Sequence, residues 1–167
     1  MSATEHEIRP AIDEPTVRSL QIVQLGLTAG VVLFAGVVWF RAHFLADPAA
    51  AESTIGEPLI VKLAIGAIVA FLGIQRIADF VVRRRIAGAK GQGVPALLEA
   101  ARTAFIVRLA LLEAPALFGI ALCFLASPNG PPRNPMVWLG LLPAGLFVVL
   151  SAMSFPNRER LAALVAE

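Results

Sequence analysis

Charged residues are scarce in this chain of 167 residues. Asp, Glu, Lys and Arg make up 16% of it, and hydrophobic residues make up 57%. A soluble domain of average composition carries about 25% charged residues. The shortage excludes an ordinary soluble domain and indicates a membrane protein. Because each membrane-spanning helix needs about 20 apolar residues, the length allows about four spans and no separate soluble domain.

Residues that build catalytic and metal sites are also scarce. Cys123 is the only cysteine, which excludes an intrachain disulfide and a cysteine-based metal site. The two histidines, His6 and His43, lie far apart in the sequence. No P-loop, dinucleotide fingerprint or G-x-S-x-G motif occurs. The sequence therefore predicts no enzyme, no metal and no cofactor, and the net charge of +2 gives no sign of a nucleic-acid partner.

Four apolar stretches have the length of membrane-spanning helices. They cover residues 19–40, 58–82, 104–126 and 135–155. Helices of a soluble bundle would each show a polar face, whereas only isolated polar residues interrupt these stretches. We therefore predict an all-α polytopic membrane protein, with a bundle of four transmembrane helices over residues 16–156. Residues 1–15 are expected to form a mobile cytoplasmic tail, and residues 157–167 a short cytoplasmic helix or tail.

Basic residues are distributed unequally between the two sides of the predicted bundle. Four spans put both termini and the middle loop on one side, and most basic residues fall there, including Arg83, Arg84 and Arg85. The positive-inside rule then places both termini in the cytoplasm. Trp39 and Trp138 fall at the outer interface, where tryptophan is enriched. The expected location is the cell (inner) membrane.

Polar residues interrupt all four stretches at one depth. These residues are Gln21, Gln24, Gln75, Arg76, Asp79, Arg108, Ser151 and Ser154. The helical rise places them about 8–13 Å to the cytoplasmic side of the midplane. Unpaired polar groups are costly in hydrocarbon, so we predict one polar layer with an Asp79–Arg108 ion pair and Gln24 or Gln75 nearby. The layer is interpreted as a clamp between helices; the alternative is a vestibule for an anion or a lipid headgroup.

Glu113 lies near the predicted midplane, deeper than any other ionisable residue. Arg108 on the same helix points about 140° away, and no cation on the second helix matches its depth. We expect a protonated carboxyl that is hydrogen-bonded inside the bundle. The alternative interpretation is a proton or cation site, because acids within a membrane are often functional.

Two prolines lie at similar depth in the third and fourth stretches. Pro115 and Pro143 are predicted to kink their helices, because proline cannot donate to the carbonyl one turn before it. The carbonyls of Leu111 and Leu139 would then be free to accept a hydrogen bond from Glu113.

Small residues form motifs typical of helix packing in membranes. Gly26 and Gly30 form a GxxxG in the first stretch, and Gly66, Ala70 and Gly73 form a stripe in the second. Such residues let helix backbones approach closely, so both motifs predict packing between helices.

The segment LALLEAPALFGIALCFLASPN resembles the ion-binding outer helix of the ATP synthase c subunit. That family has a glutamate followed by small and aliphatic residues, an aromatic residue and a glycine. The resemblance implies that Glu113 is an ion-binding carboxylate surrounded by Ala114, Leu117, Phe118 and Gly119. It covers about 20 residues, and the glycine-repeat inner helix of the family is missing.

A second resemblance covers nearly the whole chain. Its elements are a glutamine-containing first helix, R-x-A-L-x-E in the third helix, and F-P-x-R-E after the fourth. The residues that carry it are Arg108, Ala110, Leu111, Glu113, Phe155, Pro156, Arg158 and Glu159. In these features the chain is similar to the small uncharacterised four-helix integral membrane proteins of bacteria. The resemblance implies a fold and a membrane location, without an activity.

These observations favour a structural or accessory membrane protein without catalytic chemistry. The alternative is a proton- or cation-translocating channel, carrier or proteolipid-like subunit that uses Glu113. The expected partners are the lipid bilayer, with anionic headgroups at Arg83, Arg84 and Arg85, and a membrane protein or a second copy of the chain.

Overall fold

The computed structural model describes residues 12–45, 56–127, 131–132 and 134–166. The described chain is helical and contains no strand, which confirms the all-α prediction. Its helices are α1 (Glu14–Phe44), α2 (Glu57–Ala89), α3 (Val94–Ala126), a 3₁₀ segment (Pro135–Leu141), α4 (Leu142–Met153) and α5 (Arg158–Ala166). Most of the predicted N-terminal tail, residues 1–11, lies outside the described residues.

Proline and glycine mark the ends of the helices. A proline lies in the first turn of each of the first four helices: Pro15, Pro58, Pro95 and Pro143. This position suits proline, because the N–H that it lacks has no partner within the helix there. Between α2 and α3, Gly91 and Gly93 both adopt φ of +96°, which other residues rarely adopt. These two glycines allow the short turn that joins α2 to α3.

Four segments are long and apolar enough to cross a membrane, as the sequence predicts. They are Glu14–Phe44, Pro58–Ala89, Val94–Ala126 and Pro135–Met153. The first three have 31 to 33 residues, more than the 20 or so that a bilayer core requires. These three helices therefore extend beyond the apolar stretches visible in the sequence.

Helix α3 is the centre of the bundle. Half of its apolar segment is buried, against 17% in α1 and 22% in α2. It packs against α1, α2, the 3₁₀ segment, α4 and α5, whereas α1 and α2 make little contact with each other. The bundle is therefore not a closed ring, and one face of α3 is left uncovered at Ala110, Ala114 and Phe118.

The core consists of two apolar clusters. The larger includes Leu20, Phe71, Ile120 and Phe147, each 1% exposed or less. The smaller joins α2, α3 and the 3₁₀ segment. It is formed by Ile60, Ala64, Leu122, Ala126 and Val137.

The beginning of α1 and the helix α5 lie at the same end of the bundle. Leu161 of α5 lines a small crevice together with Ile12, Thr16 of α1 and Pro95 of α3. Arg158 Nη2 also lies 3.8 Å from Glu14 Oε2, in an exposed ion pair. The predicted short C-terminal helix is present as α5, and it packs against α3.

The fourth span differs from the continuous helix predicted over residues 135–155. It begins as seven residues of 3₁₀ helix, becomes α-helical at Leu142 and ends at Met153. The Leu142 N–H donates to Leu139 O, three residues back. Because a 3₁₀ helix rises about 2.0 Å per residue, the 19 residues reach about 32 Å, enough to cross a bilayer core.

The kink at Pro143 stays a prediction. Pro143 lies where the 3₁₀ segment changes to α-helix, in the first turn of α4. The carbonyl of Leu139, predicted to be free, accepts from Leu142 instead. Pro115 does lie inside α3, which continues without interruption to Ala126.

Candidate functional site

Two groups of polar side chains lie within the spans. One joins α1 to the end of α4, and the other joins α2 to α3. The sequence predicted a single layer that included residues from both groups. The helices α1 and α2 hardly touch, so the polar residues of these two helices do not meet.

The first group donates hydrogen bonds to backbone carbonyls at and just after the end of α4. Gln24 Nε2 donates to the backbone carbonyl of Ser151 and, at 2.8 Å, to Ser151 Oγ. Thr28 Oγ1 lies 2.7 Å from the same hydroxyl, and Gln21 Nε2 donates to Pro156 O at 3.0 Å. The last carbonyls of a helix have no partner within it, and in hydrocarbon they require one. The two glutamines of α1 therefore cap the chain where α4 ends.

Gln24 is the most deeply buried polar residue of this group. Its side chain is 1% exposed, and its Oε1 atom has no hydrogen-bond partner among the described residues. Thr28 was not singled out in the sequence. Its spacing of four residues from Gln24 places both on one face of α1, and that spacing was a usable signal.

The second group is the ion pair between α2 and α3. Arg108 Nε lies 3.2 Å from Asp79 Oδ1, as the depth argument predicted. The angle is not that of a hydrogen bond, and Arg108 Nε is buried without a hydrogen-bond partner in the described chain. The side chains are 27% and 42% exposed respectively, so the pair lies at an open edge of the bundle.

Gln75 and Arg76 do not join this pair. Gln75 is half-buried, Arg76 is exposed, and neither bonds to another described residue. The prediction that Gln75 or Gln24 completes the network around Asp79 is therefore wrong. A narrow crevice between α3 and α4 instead places Arg108 near Ser151 and Ser154.

A pocket of about 720 Å³ lies beside the Asp79–Arg108 pair, between α2 and α3. It is lined by Asp79, Val82, Arg83, Ile86, Ala87, Lys90, Phe105 and Arg108. Its walls therefore combine three cationic side chains, one carboxylate and several apolar residues. Arg84 and Arg85, which adjoin Arg83 in the sequence, do not line it. The pocket as a unit was not predicted, although Asp79, Arg83, Ile86 and Lys90 have the spacing of one helix face.

Glu113 is half-buried in α3, at the edge of the uncovered face of that helix. No hydrogen bond or ion pair joins it to any part of the chain that the structure describes. The expected hydrogen bond inside the bundle is therefore absent. The acceptor predicted in the fourth span, the Leu139 carbonyl of the 3₁₀ segment, accepts from the Leu142 N–H.

The residues that the c-subunit resemblance places around Glu113 have different environments. Ala114 and Phe118 are exposed, Leu117 is half-buried, and Gly119 is buried. A Cβ atom on Gly119 would overlap the carbonyl oxygen of Gly140, and one on Gly140 would lie 2.6 Å from Gly119 O. Gly119 is therefore the point of closest approach between α3 and the 3₁₀ segment.

The glycine motifs that were predicted to pack helices together lie on exposed faces of α1 and α2. Gly26, Gly30, Gly66 and Gly73 are exposed, and nothing lies within 4 Å of a Cβ atom built on any of them. They therefore make no close contact with another helix among the residues that the structure describes. The sequence did not single out the one glycine pair that does, Gly119 and Gly140.

An aromatic cluster marks the end of the bundle opposite α5. The rings of Trp39 and Trp138 are 5.1 Å apart, and His43 stacks on Trp39 at 4.1 Å. His43 Nδ1 also lies 3.0 Å from Trp39 O. The two tryptophans thus lie at one level, as the topology predicted, and His43 belongs to this cluster. Within the described ranges, no group of His, Cys, Asp and Glu residues could hold a metal ion.

No protein-family model, curated protein or solved structure matches this chain. The resemblances to the c subunit and to the small bacterial four-helix proteins therefore stay predictions.

Proposed function

We propose that this chain is a small integral membrane protein of the bacterial cell (inner) membrane with a structural or accessory role. The observation that carries the proposal is the use of polar side chains within the spans. Gln24 joins α1 to Ser151 of α4, and Asp79 joins α2 to Arg108 of α3. Polar groups used in this way hold helices together.

An accessory role requires a partner in the bilayer. The exposed faces of α1 and α2 support this part of the proposal, because Gly26, Gly30, Gly66 and Gly73 leave space there for another helix backbone. The partner is a different membrane protein or a second copy of this chain.

Proton or cation translocation through Glu113 is the second candidate function. One observation favours it: the carboxyl has no partner in the described chain and lies beside the uncovered face of α3. A carboxyl without a partner in such a position is free to exchange a proton or an ion. The described residues offer it no second acid or relay, and for this reason we prefer the accessory role.

Ion flux in liposomes separates the two functions. Purified wild-type protein, Glu113→Gln and the control Glu99→Gln are reconstituted, and proton and sodium fluxes are measured. Glu99 is a suitable control because it is exposed near the beginning of α3, outside the apolar part of the span. The accessory role predicts the same background flux in all three preparations.

A flux that is present in the wild type and Glu99→Gln but lost in Glu113→Gln would overturn the accessory role. Glutamine keeps the size of the side chain and removes its ability to ionise, so stability should be similar in all three proteins. Thermal unfolding of the same preparations in detergent checks this.

A further inference from the structure

The pocket between α2 and α3 has the composition of an anion site. Arg83, Lys90 and Arg108 line it, and Asp79 is its only acidic residue, so its lining carries a net charge of +2. No described residue pairs with Arg83 or Lys90. Their charges are therefore available to a ligand.

Arg108 contributes through its geometry as well as its charge. It lies 3.2 Å from Asp79 but makes no hydrogen bond with the described chain, so its N–H donors are not used by the carboxylate. A guanidinium group matches the geometry of phosphate oxygens, to which it can donate two parallel hydrogen bonds. Nε is buried beside Asp79, so Asp79 holds Arg108 at the pocket through Nε, and the two terminal nitrogens of the guanidinium are left for a ligand.

The apolar walls indicate what carries the anionic group. Val82 and Ile86 of α2 and Phe105 of α3 are 5% to 9% exposed and line the pocket. From Lys90 to Asp79 the pocket follows α2 for roughly 16 Å, from the end of the helix toward the bundle interior. Its volume of about 720 Å³ falls within the range of small-molecule sites. Lys90 and Arg83 lie toward the helix end, and Val82, Ile86 and Phe105 line the pocket between them and the Asp79–Arg108 pair. This arrangement suits an anionic headgroup and the beginning of its acyl chains.

We propose that this pocket binds a phosphate group through Arg83, Lys90 and Arg108, with the phosphate carried by an anionic lipid. Free phosphate has the same recognition chemistry but would leave the apolar wall unused. The proposal is narrower than attraction of anionic lipid to a basic surface, because Arg84 and Arg85 lie outside the pocket. It holds whether or not the chain has an accessory role.

The adjacent residues Arg83, Arg84 and Arg85 allow a test with a matched control, because only Arg83 lines the pocket. Arg83→Gln/Lys90→Gln removes two cations from the pocket, and Arg84→Gln/Arg85→Gln removes two cations beside it. All four residues are exposed, and in the described structure none makes an ion pair, so both variants should fold. Wild type and variants in neutral detergent are titrated with short-chain phosphatidylglycerol, short-chain phosphatidylcholine and inorganic phosphate. Binding is followed by the shift in thermal unfolding temperature.

We expect the wild type to bind phosphatidylglycerol saturably. The affinity should fall about tenfold or more in Arg83→Gln/Lys90→Gln, because each basic residue near a membrane surface contributes about 1 kcal/mol. The Arg84/Arg85 variant should bind nearly as well as the wild type. Saturable binding of inorganic phosphate with the same dependence on Arg83 and Lys90 supports the site and identifies a soluble anion as its ligand. Equal weakening in both variants, equal affinity for phosphatidylcholine, or no saturable binding by the wild type would overturn the proposal.

Discussion

The burial of Gln24 within an apolar helix is explained by the backbone carbonyl to which it donates. Gln24 lies in an apolar helix, yet it is almost fully buried because α4 ends next to it. The helical rise alone predicts that Asp79 and Arg108 lie at one level, and the ion pair between them agrees with this prediction. Which residues meet also depends on which helices are neighbours. That information is not visible in four similar apolar stretches, so the single polar layer was predicted and two groups were found.

The Asp79–Arg108 pair leads to a prediction about stability. Asp79→Leu leaves the Arg108 charge without its partner and should lower the free energy of unfolding by about 1 kcal/mol, because interhelical polar contacts in membranes are modest and the pair is partly exposed. Asp79→Leu/Arg108→Leu should cost less, since no unpaired charge remains. Thermal unfolding in detergent measures both. Arg76→Leu is the control, because Arg76 is exposed on the same helix.

Equal losses in the single and double variants would mean that Asp79 and Arg108 do not interact. A loss of the same size in Arg76→Leu would mean that removal of any charged residue from α2 has this effect, and the ion pair would then not explain the result.

At the scale of elements, α1 to α3 could be predicted more fully than the fourth span. Their existence and type follow from apolar length, although α3 begins at Val94, before the apolar stretch that starts at residue 104. The 3₁₀ segment was missed because its apolar composition is that of an ordinary helix. Two residues explain it physically. Pro143 lacks the N–H that an α-helix would donate to Leu139, and Gly140 approaches the backbone of α3 closely.

The contact between α3 and the 3₁₀ segment should be sensitive to one methyl group. Gly119→Ala would place its Cβ against the Gly140 carbonyl oxygen, which belongs to the backbone and cannot move aside easily. We expect a loss of about 1–3 kcal/mol, the usual cost of overpacking. Gly26→Ala is the matched control, since nothing lies within 4 Å of the added Cβ. Unfolding in detergent should show no loss there, because alanine favours a helix over glycine.

A variant Gly119→Ala as stable as the wild type would contradict the close crossing. A loss in Gly26→Ala of the same size would show that glycine in these helices has a role outside the described contacts, such as association with another helix.

The whole molecule is organised around α3, with two chemically different ends. One end carries α5, the turn between α2 and α3 and the basic residues Arg83 and Lys90; the other carries Trp39 and Trp138. The four-span architecture was predictable because each span contains an apolar stretch long enough to cross a bilayer core. The central position of α3 was not, because the sequence does not tell which of four apolar helices is surrounded by the others.

The basic end is predicted to face the cytoplasm, because short loops rich in lysine and arginine stay on that side. The test uses single cysteines in a Cys123→Ala background. Gln92→Cys lies in the exposed turn after α2, and Pro131→Cys lies in the exposed segment before the fourth span. A membrane-impermeant maleimide should label Pro131→Cys in intact cells and Gln92→Cys only after the membrane is opened. The reverse pattern would show the opposite orientation, and labelling of both from outside would contradict a span between them.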